Sequence, residues 1–373
     1  MGEPKHKSAI ILSGGGAYGA YEIGVLKALL TGQSPTTNFQ PLVPDIVSGT
    51  SVGAYNSTCL VARLGSGGAG TAHDLEQLWL ERVSGGRRNQ GNGVFRLRLD
   101  PVEYVQPAFS VGGPLWPLKA AALDTAYFTA QLMARTVSAM RSPGSPLSRA
   151  VQEIDLSASF DTAPFHELIR ATIDFDAVYR SPIELSIFAT AWRTGRPRQF
   201  DNASRTVTAH SVRASASIPG VFPPTLVDGD LYVDGGLSRN TPLRPAVAAG
   251  AEIIHLVFLD PRVRDIPMRW PISTMTEMYR MVAIMFADET RSQLVEIVEG
   301  NLGRRPGTQP HRPVAVYVYR PAPDVLAGLA GLLNFERSHI EKLIAAGFHD
   351  AVNHSGKPIT STTFPLQPSF LDA

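Results

Sequence analysis

The sequence predicts one large α/β domain that opens on a buried parallel strand. Three observations carry that expectation. Ser8 to Leu12 (SAIIL) is a short, nearly unbroken apolar run, the pattern of a strand covered on both faces, and it passes through Gly14, Gly15 and Gly16 into helix-forming residues. Ile46 and Val47 repeat the order, entering Gly49-Thr50-Ser51-Val52-Gly53 and then a second helical stretch. Further apolar strand patterns alternate with amphipathic ones over the rest of the 373 residues, a length that allows one large domain with an insertion.

The first strand leads to the glycine loop, Gly14 to Gly19, and to a helix with Ile23, Leu26, Leu29 and Leu30 on one side. A dinucleotide fingerprint needs an acidic residue about twenty positions on, yet no Asp or Glu lies between Glu22 and Asp45. A phosphate-cradling P-loop needs a Gly-Lys-Ser/Thr ending, which is absent. What remains is either a tight connection or an oxyanion hole, in which backbone N–H groups with no side chains in the way face a developing negative oxygen. The second strand, turn and helix have the order of a nucleophile elbow, with Ser51 as candidate nucleophile. Gly49 and Gly53 are expected because a Cβ at either would crowd the neighbouring strand and helix.

Gly/Ser-rich residues 65–70 and Gly/Arg/Asn-rich residues 84–93 bracket an expected helix from His73 to Arg82. Arg87, Arg88, Arg96 and Arg98 read as a solvated basic surface. Asp124 to Met140 reads as a helix ended by SPGSP, and Ser84 to Ser148 reads equally as an insertion near the candidate nucleophile or as core packing. Phe165 to Ile173 is an amphipathic helix; Ile183 to Thr194 is a strand turning through GRPRQF into another. ASASIPGVFPP, Ala214 to Pro224, is too proline-rich to be helix throughout. A hairpin from Leu226 to Val233 turns at Asp228-Gly229 and delivers Asp234, Gly235 and Gly236. A strand from Ile253 to Asp260, a helix from Met275 to Glu299, a strand from Val314 to Tyr319 and a helix from Ile340 to Asn353 complete the chain.

Composition narrows the function. Lys and Arg number 34 against 33 Asp and Glu, a net charge of +1, so no global field draws the chain to nucleic acid. Cys59 is the single cysteine, which forbids an intrachain disulfide and suits a reducing, cytoplasmic setting. The apolar run Ala9 to Leu12 is too short for a signal-peptide core, and nothing is long enough to span a bilayer.

With the glycine loop, GTSVG, ASASIPGVFPP and DGG in that order, the chain resembles the patatin-like phospholipases, serine acyl hydrolases that act on lipids. The four motifs run from Ser8 to about Ala249, and the stretch from Leu332 looks like the family's C-terminal helix. The resemblance implies a three-layer α/β/α sandwich with a mainly parallel central sheet and a lid-like insertion. It makes residues 8–249 the catalytic domain (insertion about 84–148) and residues 250–373 its completion. It further implies Ser51 as nucleophile, Asp234 as base and the N–H groups around Gly14, Gly15 and Gly16 as oxyanion hole, with Gly19, Gly49, Gly53, Gly235 and Gly236 as motif support. Many members carry Lys or Arg where this chain has Tyr18.

A serine hydroxyl needs a base, usually a histidine that follows the acid in the chain. The histidines after Asp234 are His255, His311, His339, His349 and His354. His255 lies in an apolar strand pattern and the others lack a distinctive motif, so a direct Ser-Asp dyad is expected. No metal-ligand spacing stands out and no cofactor is expected. The expected activity is hydrolysis of a lipid carboxylic ester at a transient membrane or micelle interface. The alternatives are an acyltransferase using the same dyad and a non-catalytic lipid-binding regulator. Val105 to Leu118 and Val325 to Leu333 either cover the site and touch lipid or pack internally.

Overall fold

The computed structural model describes residues 6–85, 92–97, 160–219, 221–260, 274–301, 313–323, 325–326 and 331–359. The expected helix over Asp124 to Met140, the apolar segment Val105 to Leu118, Arg87, Arg88, Arg98 and His311 lie outside these residues.

Strand β1 (Ser8–Leu12) and strand β2 (Ile46–Thr50) are buried at every position, because their apolar side chains project to both faces of a covered parallel sheet. With β5 (Glu184–Ala191), β6 (Pro197–Asp201), β7 (Thr225–Val227), β8 (Asp230–Asp234), β9 (Ile253–Val257) and β10 (Ala315–Tyr319) they form an eight-stranded sheet. Its order is β10-β9-β1-β2-β5-β8-β7, with β6 also on β5. The pairings from β10 to β5 are parallel, and those of β6, β7 and β8 are antiparallel. Two-residue strands β3 (Arg96–Leu97) and β4 (Phe160–Asp161) pair separately.

Period-two alternation sorts the apolar residues into two cores, one on each face. Ile10, Leu12, Val47 and Ile187 meet helices α1 (Gly19–Leu30), α2 (Val52–Arg63), α3 (Gly68–Leu78) and α10 (Arg337–Val352). Ala9, Ile11, Ile46, Ile254 and Leu256 meet Leu243 and Ala246 of α8 (Leu243–Ala248) and Leu294 and Ile297 of α9 (Thr274–Asn301). A central sheet flanked by helices is the result. Helices α4 (Ala163–Thr172), α5 (Phe175–Arg180), α6 (Ala209–Ser215) and α7 (Gly236–Arg239) connect the strands around β5. Among the described residues beyond 249, strands β9 and β10 enter the same sheet, since β9 pairs with β1 and β10 with β9.

Several boundaries differ from the sequence reading: β9 ends at Val257 rather than Asp260, α10 begins at Arg337 rather than Ile340, and two further differences have a visible local cause. Helix α3 begins at Gly68, inside the expected glycine loop, because Thr71 Oγ1 bonds the carbonyls of Arg63 and Gly67 at 2.9 Å each and ties the helix start to the end of α2. Its last turn, Trp79–Val83, widens to a π-helix. Strand β5 stops at Ala191, not Thr194, where Gly195 N–H closes a turn onto the Ala191 carbonyl at 2.8 Å. The described ends of the 325–333 segment pack inward: Val325, Leu326 and Leu332 lie against the first core.

Candidate active site

The sheet edge explains why two distant motifs meet. Residues Glu184 to Phe188 of β5 pair with β2, whereas Ala189 to Ala191 pair with β8. Strand β6 pairs with residues on both sides of that change, so β2 and β8 share the opposite edge. Their C-terminal ends abut there, Thr50 opposite Phe188 and Asp234 opposite Ala189. The residue after β2 is Ser51.

Ser51 has φ 56 and ψ −124, a conformation that costs an L-residue on the order of 1–3 kcal/mol and persists only where the surroundings impose it. Here Ser51 N–H donates to Ser215 Oγ at 2.9 Å, and that hydroxyl donates to the Phe188 carbonyl at 2.5 Å. The N–H groups of Ala54 and Tyr55 return to the Ser51 carbonyl. A Cβ on Gly49 would strike the Gly53 carbonyl, and one on Gly53 the Leu12 carbonyl. The two motif glycines therefore let β2, α2 and β1 close onto one another.

Ser51 Oγ donates to Asp234 Oδ2 at 2.6 Å. Asp234 Oδ1 accepts from Gly236 N–H at 2.8 Å, and Asp234 N–H donates to the Ser217 carbonyl at 2.8 Å. Gly235 N–H reaches the Ser215 carbonyl at 3.1 Å. Only 4% of Ser51 and 6% of Asp234 are exposed. Burial pushes the Asp234 carboxyl up to about 7, against the hydrogen bonds from Ser51 and Gly236, because the charged form loses its water.

The glycine loop lies against this pair. Gly14 N–H donates to Asn240 Oδ1 at 3.1 Å and to the Asn240 carbonyl at 3.4 Å. Among the described residues no acceptor meets the N–H groups of Gly15 or Gly16. Of the three expected donors, these two are uncommitted. Tyr18 is buried, its ring edge-on to His339 at 6.4 Å between centroids, and Gly19 starts α1 against Val52 and Asn56. An apolar slot opens beside Ser51 and Gly16, walled by Tyr55, Trp79, Phe165, Leu168, Phe222 and Phe335. Trp79 is held in it by an indole N–H bond to Asn56 Oδ1 at 2.9 Å.

Sequence reasoning missed Asn240, whose Nδ2 donates to Asp260 Oδ2 at 2.8 Å while its oxygen holds Gly14. It also missed Ser215 and Asp260; burial pushes Asp260 up to about 7. Ser215 stands in the ASAS stretch and Asn240 six residues after Asp234, yet neither has a local pattern that announces its contacts.

Among the described residues no imidazole bonds to Ser51 or Asp234. His255 Nδ1 faces the Tyr319 hydroxyl at 3.1 Å, inside the sheet, and burial lowers it to about 3. His349 lies beside Asp350, and His354 Nδ1 accepts from Gly356 N–H. No cluster of three or more His, Cys, Asp or Glu among the described residues has the arrangement to hold a metal ion.

Two uncharacterised proteins described as NTE family, from Mycobacterium bovis and Mycobacterium tuberculosis, are each 30% identical to this chain over 94 residues. The match spans a quarter of this chain and a quarter of each relative. In structure the chain is similar to VipD of Legionella pneumophila, at TM-score 0.36 and 15% identity, over 92% of this chain and 67% of that one. ExoU in its complex with SpcU from Pseudomonas aeruginosa gives 0.28 and 18%, over 79% and 52%. The family model for patatin-like phospholipase matches residues 10–247, from β1 to α8. The chain belongs to the patatin-like phospholipase family.

Proposed function

We propose that this protein is a lipid acyl hydrolase, of phospholipase A or lysophospholipase type, that cleaves a carboxylic ester through an acyl-enzyme on Ser51. The observation that carries the reading is the 2.6 Å bond from Ser51 Oγ to Asp234 Oδ2. Ser51 Oγ attacks the ester carbonyl as its proton passes to Asp234, whose raised proton affinity suits a base working near neutral pH. The carbonyl oxygen becomes an oxyanion and accepts from Gly15 and Gly16 N–H. Collapse breaks the ester bond, and the departing alcohol takes the proton from Asp234. Water then attacks the acyl-enzyme, Asp234 receiving its proton and returning it to Ser51.

The aromatic slot accommodates the acyl chain next to the reacting carbon. No helix among the described residues is long and apolar enough to cross a membrane; in this reading the enzyme meets lipid at an interface. A fluorophosphonate probe should label wild-type protein on Ser51 and leave Ser51→Ala unlabelled. A panel of phospholipid, lysolipid, triglyceride and thioester, with glycerol as added acceptor, then separates hydrolysis from acyl transfer. Wild-type protein that is folded yet neither labelled nor active on any ester would refute the proposal.

A further inference from the structure

Helices α4 and α6, which follow the strand pair β3–β4 and precede the hairpin β7–β8, face one another with basic side chains. On α4, His166 and Arg170 are four residues apart; on α6, His210 and Arg213 are three apart, so each pair lies on one face of its helix. The imidazoles of His166 and His210 meet with centroids 5.0 Å apart and planes inclined by 50°. His166 Nδ1 and Arg213 Nε are buried atoms with no hydrogen-bond partner among the described residues. Among the described residues, none of the four side chains makes an ion pair or a hydrogen bond; Ser217 Oγ reaches only the backbone carbonyl of Arg213, at 3.0 Å. The nearby acids do not fill the gap: Asp161 Oδ1 accepts from Ala163 N–H at 2.9 Å, and Glu167 is exposed on α4.

Burying hydrogen-bonding groups without partners is unfavourable, and converging like charges adds to the cost. Burial first, then the charges of His210, Arg213 and Arg170, hold His166 below its ordinary range, with Glu167 acting the other way. Burial likewise lowers the Arg213 guanidinium, against Asp161. An anion with several acceptor oxygens relieves both penalties. A guanidinium fork beside two imidazoles offers more donors than the two oxygens of a carboxylate use, and suits a phosphoryl group.

The position of the cluster connects it to the catalytic pair. Phe165 and Leu168 of α4 and Ala216, just past α6, line the slot beside Ser51, and Ser215 of α6 holds the Ser51 N–H. We infer that His166, Arg170, His210 and Arg213 form a binding site for a phosphoryl group, and that this group is the headgroup phosphate of the lipid whose acyl chain enters the slot. The assignment to a lipid rests on the acyl-hydrolase reading; the phosphoryl site does not.

The test compares wild type with Arg213→Gln and His210→Gln on a lysophospholipid and on the monoacylglycerol of the same chain, both in neutral detergent micelles. Each variant should lose about tenfold or more in kcat/KM on the lysophospholipid, as expected for a lost charge-assisted hydrogen bond, while staying within about twofold on monoacylglycerol. Fluorophosphonate labelling of Ser51 reports whether each variant is folded, and the exposed His210 guards against a misfolded Arg213 variant. In parallel, inorganic phosphate is titrated into wild-type protein while the imidazole resonances of His166 and His210 are followed by NMR. Resonances that shift in wild type and not in Arg213→Gln support the site without reference to catalysis. If they shift while the two lipid substrates are affected equally, free phosphate is the ligand and the headgroup assignment is overturned. If phosphate moves neither resonance and the substrate ratio is unchanged, the site itself is refuted. A wild-type protein that binds phosphate yet hydrolyses no ester would sink the hydrolase reading and leave the phosphoryl site standing.

Discussion

Replacing Asp234 with Asn should abolish turnover and, above neutral pH, make the protein more stable. The carboxyl titrates at 3.8 in a model compound and at about 7 in the fold, chiefly through burial. The difference is about 3 units, or about 4 kcal/mol at 1.36 kcal/mol per unit. Because the folded value is the higher one, the folded chain binds more protons than the unfolded chain between 3.8 and about 7, and stability falls as pH rises across that window. At pH 8 the full cost of the buried charge is present; below pH 3.8 it is gone. An amide removes that cost but supplies one acceptor oxygen where the carboxylate serves both Ser51 and Gly236, a loss of about 1–2 kcal/mol. Urea denaturation should therefore show Asp234→Asn more stable than wild type by about 2 kcal/mol at pH 8 and less stable by about 1–2 kcal/mol near pH 4. On a soluble ester, wild-type kcat/KM should rise with pH through about 7 as Asp234 ionises. Asp260, also near 7, is the control: Asp260→Asn should keep that rising limb. A stability difference between Asp234→Asn and wild type that does not change with pH, or a limb that vanishes with Asp260, would refute the assignment of the base.

Three further outcomes are expected. Ser51→Ala should lose activity by several orders of magnitude, and Ser51→Ala with Asp234→Asn should be little worse than either single change, since the pair acts as a unit; additive losses in kcat would contradict the dyad. Asn240→Leu takes the amide partner from Asp260 Oδ2 and leaves Gly14 N–H only its 3.4 Å bond to the backbone carbonyl of residue 240, a penalty of about 1–3 kcal/mol for the buried carboxyl oxygen; lower stability and slower fluorophosphonate labelling of Ser51 should follow, and unchanged labelling would show that Asn240 does not support the loop. Changing His255, His311, His339, His349 and His354 singly to Gln should leave Ser51 labelling intact in folded protein, whereas a folded variant that loses turnover by orders of magnitude would establish a triad.

The local chemistry of the site was legible because its motifs are short and contiguous. Glycines 49 and 53 flank Ser51 in five consecutive residues, and the structure shows the collisions that exclude a Cβ there. The turn at Asp228-Gly229 was equally readable, since both residues have positive φ, 50 and 88, which Asp tolerates and Gly prefers. Helix ends were less so. Gly68 and Gly70 carry poor helix propensity, and a bond from Thr71 to the Arg63 carbonyl overrides it.

The sequence by itself determined the strand, turn and helix units, the nature of the candidate nucleophile and base, and the family, because each of these resides in neighbouring residues. Only the tertiary structure decided that Ser51 and Asp234, 183 residues apart, touch. It does so by giving β2 and β8 the same edge of β5, a long-range register that no local pattern encodes. The same holds for Asn240 joining Gly14 to Asp260 and for four basic side chains meeting between α4 and α6. These contacts depend on how separate elements pack, and packing is set by surface burial summed over the whole core.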